Sequence, residues 1–224
     1  YVSFPLPNGT YSGSKNMGLI NTIGNEETPF IAADDKTLYF SSDTWPGYGS
    51  HDIFMVKRLS EDWTKWSQPK NLGHQINTPD WDAYYSVPAS GEHAYLVSYT
   101  NSIGGADIFK MKLPEEAKPD PVVLISGKVL HQETKKPIEA RIIYYDINTN
   151  EEIGVAHSNP EDGSYSIILP SGKNYSYMAE MEDYYAVGEH FDVKALTQFT
   201  MLDQNLTLAP IKVGQKIELN NIFF

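Results

Sequence analysis

Residues 25–57, NEETPFIAADDKTLYFSSDTWPGYGSHDIFMVK, decide the fold. They read as a strand at 29–33, an Asp-Asp-Lys turn at 34–36, a second strand at 37–42, a glycine-rich loop and a third strand at 53–57. β-Branched and aromatic residues fill the three runs, as a pleated and half-buried surface favours, while Gly, Asp and Pro punctuate them. A weaker copy follows. Ser90-Gly91-Glu92 takes the turn, residues 94–98 (AYLVS) the second strand, Gly104-Gly105 the loop and residues 107–112 (DIFKMK) the third strand. The offset holds to within one residue: 55 positions from Asp52 to Asp107 and from Gly18 to Gly73, 56 from Tyr39 to Tyr95, and the Ile-Asn-Thr of 20–22 recurs at 76–78.

A period of this length with several strands per unit is the mark of β-propeller blades. Residues 1–24 read as the back end of a preceding blade, turned by the hairpin signal Asn8-Gly9. Residues 25–78 make one full blade, with its outer strand at 63–67, and residues 79–113 the inner three strands of another. Propellers close with about four to eight blades, and about two stand here. The sequence, which opens at Tyr1 in what reads as mid-strand, is therefore expected to be a fragment or a processed product, with further blades upstream or exposed edges that need a partner.

The composition shifts at Leu113-Pro114-Glu115-Glu116-Ala117-Lys118-Pro119-Asp120-Pro121. Proline fixes φ, so 114–121 is expected to be a semi-rigid linker. Strand patterns return at 122–130, 138–145, 152–157, 165–169, 175–181 and 200–208, separated by turns such as Asn159-Pro160-Glu161-Asp162-Gly163. Short strands at this spacing predict a small antiparallel β-sandwich over 122–211. Residues 212–224 end in an apolar strand pattern. The fold class expected is thus all-β: a partial β-propeller, then a small antiparallel sandwich.

Bulk composition narrows the function. Lys and Arg number 17 against 29 Asp and Glu, a net charge of −12 with no basic cluster, so a phosphate backbone is repelled and no nucleic-acid partner is expected. With no cysteine there is no disulfide, thiolate zinc site or cysteine nucleophile. No run reaches the roughly 18 apolar residues of a membrane helix.

Two stretches resemble known families. PFIAADDKTLYFSSD, GYGSHDIFMVKR, WSQPKNLG and the repeated INT are similar to TolB-type, WD40-like propeller repeats. Ser126-Gly127-Lys128-Val129, Lys136-Pro137-Ile138-Glu139-Ala140, Pro160-Glu161-Asp162-Gly163-Ser164-Tyr165 and Leu169-Pro170-Ser171-Gly172-Lys173-Asn174-Tyr175 resemble the carboxypeptidase regulatory-like domain, a transthyretin-like sandwich that is non-catalytic in that setting. The closing IKVGQKIELNNIFF looks like the lead-in to an OmpA-type peptidoglycan-binding domain. That order of modules is similar to a group of Bacteroidota periplasmic OmpA-family proteins that includes PorE-type components of the type IX secretion and gliding apparatus. The resemblance implies a non-catalytic scaffold or adaptor, associated with the outer membrane in the periplasm, with an outer-membrane or periplasmic protein as partner. Peptidoglycan would be reached only through a downstream domain that this chain lacks.

Residue chemistry agrees with a chain that holds rather than transforms. The six histidines (51, 74, 93, 131, 157 and 190) include no pair at i, i+4 with a glutamate between, so no metal or cofactor site is expected. Gly49-Ser50-His51 lacks the second glycine and following helix of a nucleophile elbow. Asp34-Asp35 and Asp162 sit in turns, where side-chain to backbone hydrogen bonds account for them. Asp52 and Asp107 recur at one place in the repeat, which suits a structural cap better than a catalyst needed once.

The loop aromatics Trp45, Tyr48, Trp81 and Tyr99 are expected to line up on one face as the partner-binding surface, with blade-to-blade packing as the plainer account. Trp63 and Trp66, on an outer strand, are expected to pack. The alternative function is a glycan-binding or glycan-cleaving propeller, with these rings stacking on sugars and Asp80 and Asp82 as candidate carboxylates.

Overall fold

Asp34 shows how the repeat folds. Its Oδ1 accepts the N–H groups of Lys36 at 3.0 Å and Thr37 at 2.9 Å, and its Oδ2 accepts the Thr37 hydroxyl at 2.6 Å, so the turn read from Asp-Asp-Lys is locked by its first residue. In this computed structural model, which describes residues 1–212, the chain is all-β, and helix is limited among the described residues to the 3₁₀ turns Gly18–Ile20 and Glu115–Ala117. Two compact units form, one of Tyr1–Val122 with Thr197–Phe199, the other of Val123–Leu196 with residues 200–212.

In the first unit, β1 (Glu26–Ile31), β2 (Thr37–Ser42), β3 (Asp52–Lys57) and β4 (Lys70–Asn71) form one antiparallel sheet in chain order. Strands β5 (Asp82–Ser86), β6 (His93–Ser98) and β7 (Asp107–Lys112) form a second, three-stranded antiparallel sheet. Neither closes on itself. Residues 1–15 make a hairpin marked by bridges Val2–Lys15 and Pro5–Tyr11.

Two apolar clusters hold this unit together. Met17 and Ile20 pack with Leu38, Phe40, Phe54, Val56 and Trp66 on one side of the first sheet. On its other side Tyr39, Ile53 and Met55 pack with Tyr85, Ala94 and Leu96 of the second sheet. Strand β2 is buried along its whole length because both of its faces are covered.

The outer strand differs from its predicted position. Pairing with β3 is carried by a Trp66–Arg58 bridge and then by Lys70–Asn71, because Pro69 interrupts the run between them. The tryptophans pack as expected: Trp66 is buried, edge-on to Trp63 at 5.7 Å, and the Arg58 guanidinium lies 4.7 Å over the Trp63 ring. The proline-rich stretch folds onto the first unit. Tyr39 donates its hydroxyl to the Ala117 carbonyl at 2.6 Å, Asp120 pairs with Lys57 and Lys36, and Ala117 is fully buried.

The second unit contains β8 (Val122–His131), β9 (Arg141–Asp146), β10 (Glu151–His157), β11 (Ser164–Pro170), β12 (Asn174–Glu180), β13 (Tyr184–Tyr185), β14 (Val187–Asp192), β15 (Thr200–Asp203) and β16 (Leu206–Pro210). One sheet runs β10-β9-β12-β14 and the other β11-β8-β16-β13, with β15 also on β8. Val123, Ile125, Ile142, Tyr165, Leu169, Tyr177 and Leu208 from both sheets fill one core.

The expectation of a purely antiparallel sheet pair is corrected here, since β15 and β16 both run parallel to β8. Alternation of apolar and polar residues marks strands but carries no direction, and the chain crosses between 193 and 199 before pairing. The strand read at 200–208 is broken in two at Gln204-Asn205. Gln204 donates its N–H to the Ser126 carbonyl and Asn205 Oδ1 accepts the Lys128 N–H, gripping β8 around Gly127. A Cβ at Gly127 would lie 1.9 Å from the Gln204 carbonyl oxygen, so only glycine permits this approach. Of the stretch at 212–224, residues 213–224 lie outside the described residues.

Candidate functional site

The loop end of the first unit is built on one hydrogen bond used four times. Glu26 Oε2 accepts the Thr22 N–H at 3.0 Å, Asp52 Oδ2 that of Tyr48 at 2.5 Å, Asp82 Oδ2 that of Thr78 at 2.6 Å and Asp107 Oδ2 that of Ile103 at 2.7 Å. In each case a carboxylate at the start of a strand holds an N–H four residues earlier and closes the loop. Glu26 and Asp82, like Asp52 and Asp107, are equivalent positions of the repeat.

Other details repeat with them. Asn16 Oδ1 accepts the Gly18 N–H, and Asn71 Oδ1 that of Gly73; both glycines have positive φ. Thr28 and Tyr84 both sit at positive φ in the bulges of β1 and β5, and the Tyr84 N–H donates to Thr28 Oγ1 at 3.1 Å.

Asp52 and Asp82 are buried, and each makes more than the shared bond. Asp52 also accepts the Gly49 N–H at 3.2 Å and the Asn71 amide at 2.9 Å, and Asp82 also accepts the Thr78 hydroxyl. Asn77, likewise buried, accepts the Ile53 N–H at 2.8 Å and donates to the Ile53 carbonyl at 3.1 Å. Gly49 threads the narrowest point, where a Cβ would lie 2.3 Å from the Thr78 carbonyl oxygen.

On this frame the four loop aromatics take different places. Trp81 and Tyr99 come together, ring centroids 6.0 Å apart, and Tyr84 joins them edge-on to Trp81 at 5.9 Å. Tyr84 and Tyr99 are 60% and 51% exposed, so the trio presents ring area to solvent. Beside it Asp80 accepts the Thr100 hydroxyl at 2.7 Å. Tyr48 is exposed and lies edge-on to His74 at 6.3 Å. Trp45 turns inward instead, half-buried against the Phe40 and Phe54 cluster.

Tyr84 was missed by sequence reasoning. One tyrosine of the Asp-Ala-Tyr-Tyr-Ser run had to face outward, but the bulge that decides which has no residue signature, as Thr28 occupies the equivalent place.

Next to the loop, His51 lies 3.9 Å from Asp43, and both its ring nitrogens are buried without a hydrogen-bond partner. Backbone and side-chain hydrogen bonds from Asn25 hold the Asp43 carboxyl below the usual carboxylate range. Among the described residues no group of three or more His, Asp or Glu side chains is arranged to hold a metal ion. The second unit has a shallow hollow of about 490 Å³ lined by Glu139, Arg141, His157 and Glu180, in which Arg141 is paired with Glu180 at 2.7 Å.

No family model and no curated protein matches the chain. Among solved structures, 3-chlorocatechol 1,2-dioxygenase from Rhodococcus opacus 1CP aligns with 42% of this chain and 61% of its own at 10% identity and a TM-score of 0.32. The group B streptococcus pilus 2b backbone protein aligns with 84% of this chain and 97% of its own at 11% identity and a TM-score of 0.33. The C-terminal fragment of the pilus adhesin SpaC from Lactobacillus rhamnosus GG aligns with 80% and 78% at 8% identity and a TM-score of 0.33. The chain spans about three fifths of the length of the dioxygenases it matches. At such TM-scores these likenesses carry no argument about fold detail or chemistry.

Proposed function

We propose that the chain is a non-catalytic scaffold or adaptor of the periplasm, associated with the outer membrane. Its first unit is read as part of a β-propeller and its second as a transthyretin-like, carboxypeptidase regulatory-like sandwich. The partner is an outer-membrane or periplasmic protein, in an assembly of the type IX secretion or gliding kind, and peptidoglycan is reached through a further OmpA-type domain. The observation that supports this reading is where the repeated carboxylates are spent. Asp52 and Asp82 are buried and saturated by loop N–H, hydroxyl and amide donors, so they brace the loops and leave the aromatics as the exposed recognition elements.

The Trp81–Tyr84–Tyr99 trio also suits a second reading, a glycan-binding or glycan-cleaving propeller, because exposed rings stack on sugar faces as well as on protein. The two separate in one experiment. A photo-crosslinking residue at Tyr99 in the cell envelope is expected to trap a discrete protein partner, with the adduct lost on Trp81→Ala. A glycan array or hydrolase panel that responds to the purified chain, and falls silent on Trp81→Ala, with no protein adduct, would overturn the adaptor in favour of the glycan protein.

A further inference from the structure

The loops that carry the aromatic trio form one surface of a single sign. Residues 16–26, 43–52, 73–82 and 99–107 contain no Lys or Arg, yet they contain the carboxylates of Glu26, Asp43, Asp52, Asp80, Asp82 and Asp107. Hydrogen bonds join these loops in series. The Thr22 and Thr44 hydroxyls meet at 2.9 Å and Asp43 accepts the Asn25 N–H at 2.9 Å, Ser50 donates its N–H to the Asp80 carbonyl at 3.1 Å, and the Thr100 hydroxyl donates to the Asp80 carboxylate at 2.7 Å. Cations of the same unit are spent at the other end of the sheets, where Lys36 and Lys57 pair with Asp120 and Arg58 pairs with Asp35 and Glu61.

Within this anionic end Asp52 and Asp82 are buried and committed to the loop backbone, whereas Asp80 is exposed. Asp80 precedes Trp81, and through the Thr100 hydroxyl it is tied to the loop of Tyr99, so a solvent-facing carboxylate is fixed to both loops whose rings meet. The face of an aromatic ring is the negative pole of its quadrupole and draws a cation, and a nearby carboxylate adds to that attraction. The unit already contains the completed form of this arrangement: the Arg58 guanidinium lies 4.7 Å over the Trp63 ring and pairs with Asp35 at 2.9 Å and Glu61 at 3.1 Å. Trp81, Tyr84, Tyr99 and Asp80 offer the same kinds of group to solvent.

We propose that the trio and Asp80 receive an arginine side chain from a basic, extended segment of the partner protein. The guanidinium lies on the rings and bonds to the Asp80 carboxylate, and the other loop-end carboxylates draw the segment in. This deepens the adaptor reading and rests on it. A neutral sugar gains nothing from the charge of this surface, which is why the occupant is a basic protein segment.

The probe is a fluorescent synthetic peptide of alternating arginine and serine, titrated onto the full chain. Its anisotropy is expected to rise saturably, the lysine version to bind more weakly because an ammonium does not stack on the rings, and the uncharged citrulline version not to bind. Trp81→Ala should weaken the arginine peptide about two- to thirtyfold, the span of one cation–π contact from exposed to desolvated, and Asp80→Asn about two- to fivefold, as for an exposed ion pair. Tyr99→Ala, at an exposed position, should weaken it in the same direction and serves where Trp81→Ala alters the circular dichroism spectrum. Glu92→Gln, which removes the same charge in the exposed turn at the far end of β6, should leave binding unchanged. Equal binding of the arginine and citrulline peptides, or a loss on Glu92→Gln as large as on Asp80→Asn, would overturn the proposal without touching the adaptor, which stands or falls on the crosslinking at Tyr99.

Discussion

A single carboxylate can be a cap, a catalyst or a solvated charge, and in this chain its neighbours decide which. Asp52 and Asp107 are equivalent in the repeat and make the same bond to the backbone N–H four residues earlier, but only Asp52 is buried and only Asp52 has further donors at Gly49 and Asn71. Asp52→Ala would remove the buried carboxylate that the Tyr48 and Gly49 N–H groups and the Asn71 amide share, a cost of about 1–3 kcal/mol, whereas Asp107→Ala exposes a loop N–H that water satisfies. Chemical denaturation of the two variants should therefore separate them clearly, with Asp107→Ala close to the parent. Equal losses would mean that the bond itself, rather than its burial, sets the contribution. The sequence made the shared role legible, because a residue type repeated at an offset of 55 positions points to structure. It could not reveal the difference, because burial of Asp52 depends on Asn71 and on the neighbouring sheet, neither of which is marked in the local stretch.

At the scale of elements, most strands read from alternation lie within a residue of the observed ones, while β1 and β9 begin three residues from where they were read, at Glu26 instead of 29 and at Arg141 instead of 138. Residues 37–42 and 107–112 coincide with β2 and β7. Elements whose form depends on a distant partner were not legible: the two-residue β13 is set by β16 and β14 by β12, while the split at Gln204-Asn205 and the parallel pairing of β15 and β16 come from what the chain meets after crossing. The proline-rich stretch is a similar case, since composition showed a break but not its attachment.

That attachment has a pH signature. Burial raises the cost of charge on Asp120, but the hydrogen bond and charge of Lys57, with Lys36 behind it, outweigh this and hold its pKa below the ordinary 3.8. A carboxyl depressed on folding stabilises the folded state above its unfolded pKa and loses that contribution as pH falls through the lower folded value. The gap in urea midpoint between the parent and Asp120→Asn should then be full at neutral pH and shrink once the pH drops below about 4. A gap that stays constant on acidification would show that the ion pair contributes nothing.

At the scale of the molecule, the repeat makes sheets that complete each other rather than sheets that stand alone. Tyr39 and Tyr85 meet across the two sheets of the first unit with ring centroids 5.0 Å apart, Ser41 donates its hydroxyl to the Asp82 carbonyl at 2.6 Å, and Leu96 of the second sheet is buried in the cluster that also contains Ile53 and Met55 of the first. The apolar face of a sheet has to be buried against another element, and here each sheet supplies that cover for the other. The two sheets, bridged at the backbone by His51 and Trp81, should therefore unfold together. Leu96→Ala, a truncation at a buried position in β6, is expected to cost about 2–5 kcal/mol, and hydrogen exchange should show the loss in β2 and β3 of the first sheet as well as in β5 to β7. If protection fell only in β5 to β7, the sheets would be separate cooperative units and the loops they carry could not act as one surface. If it fell in both, the Trp81 trio and the Tyr48 loop are held by a common core, and a partner that orders one stabilises the other.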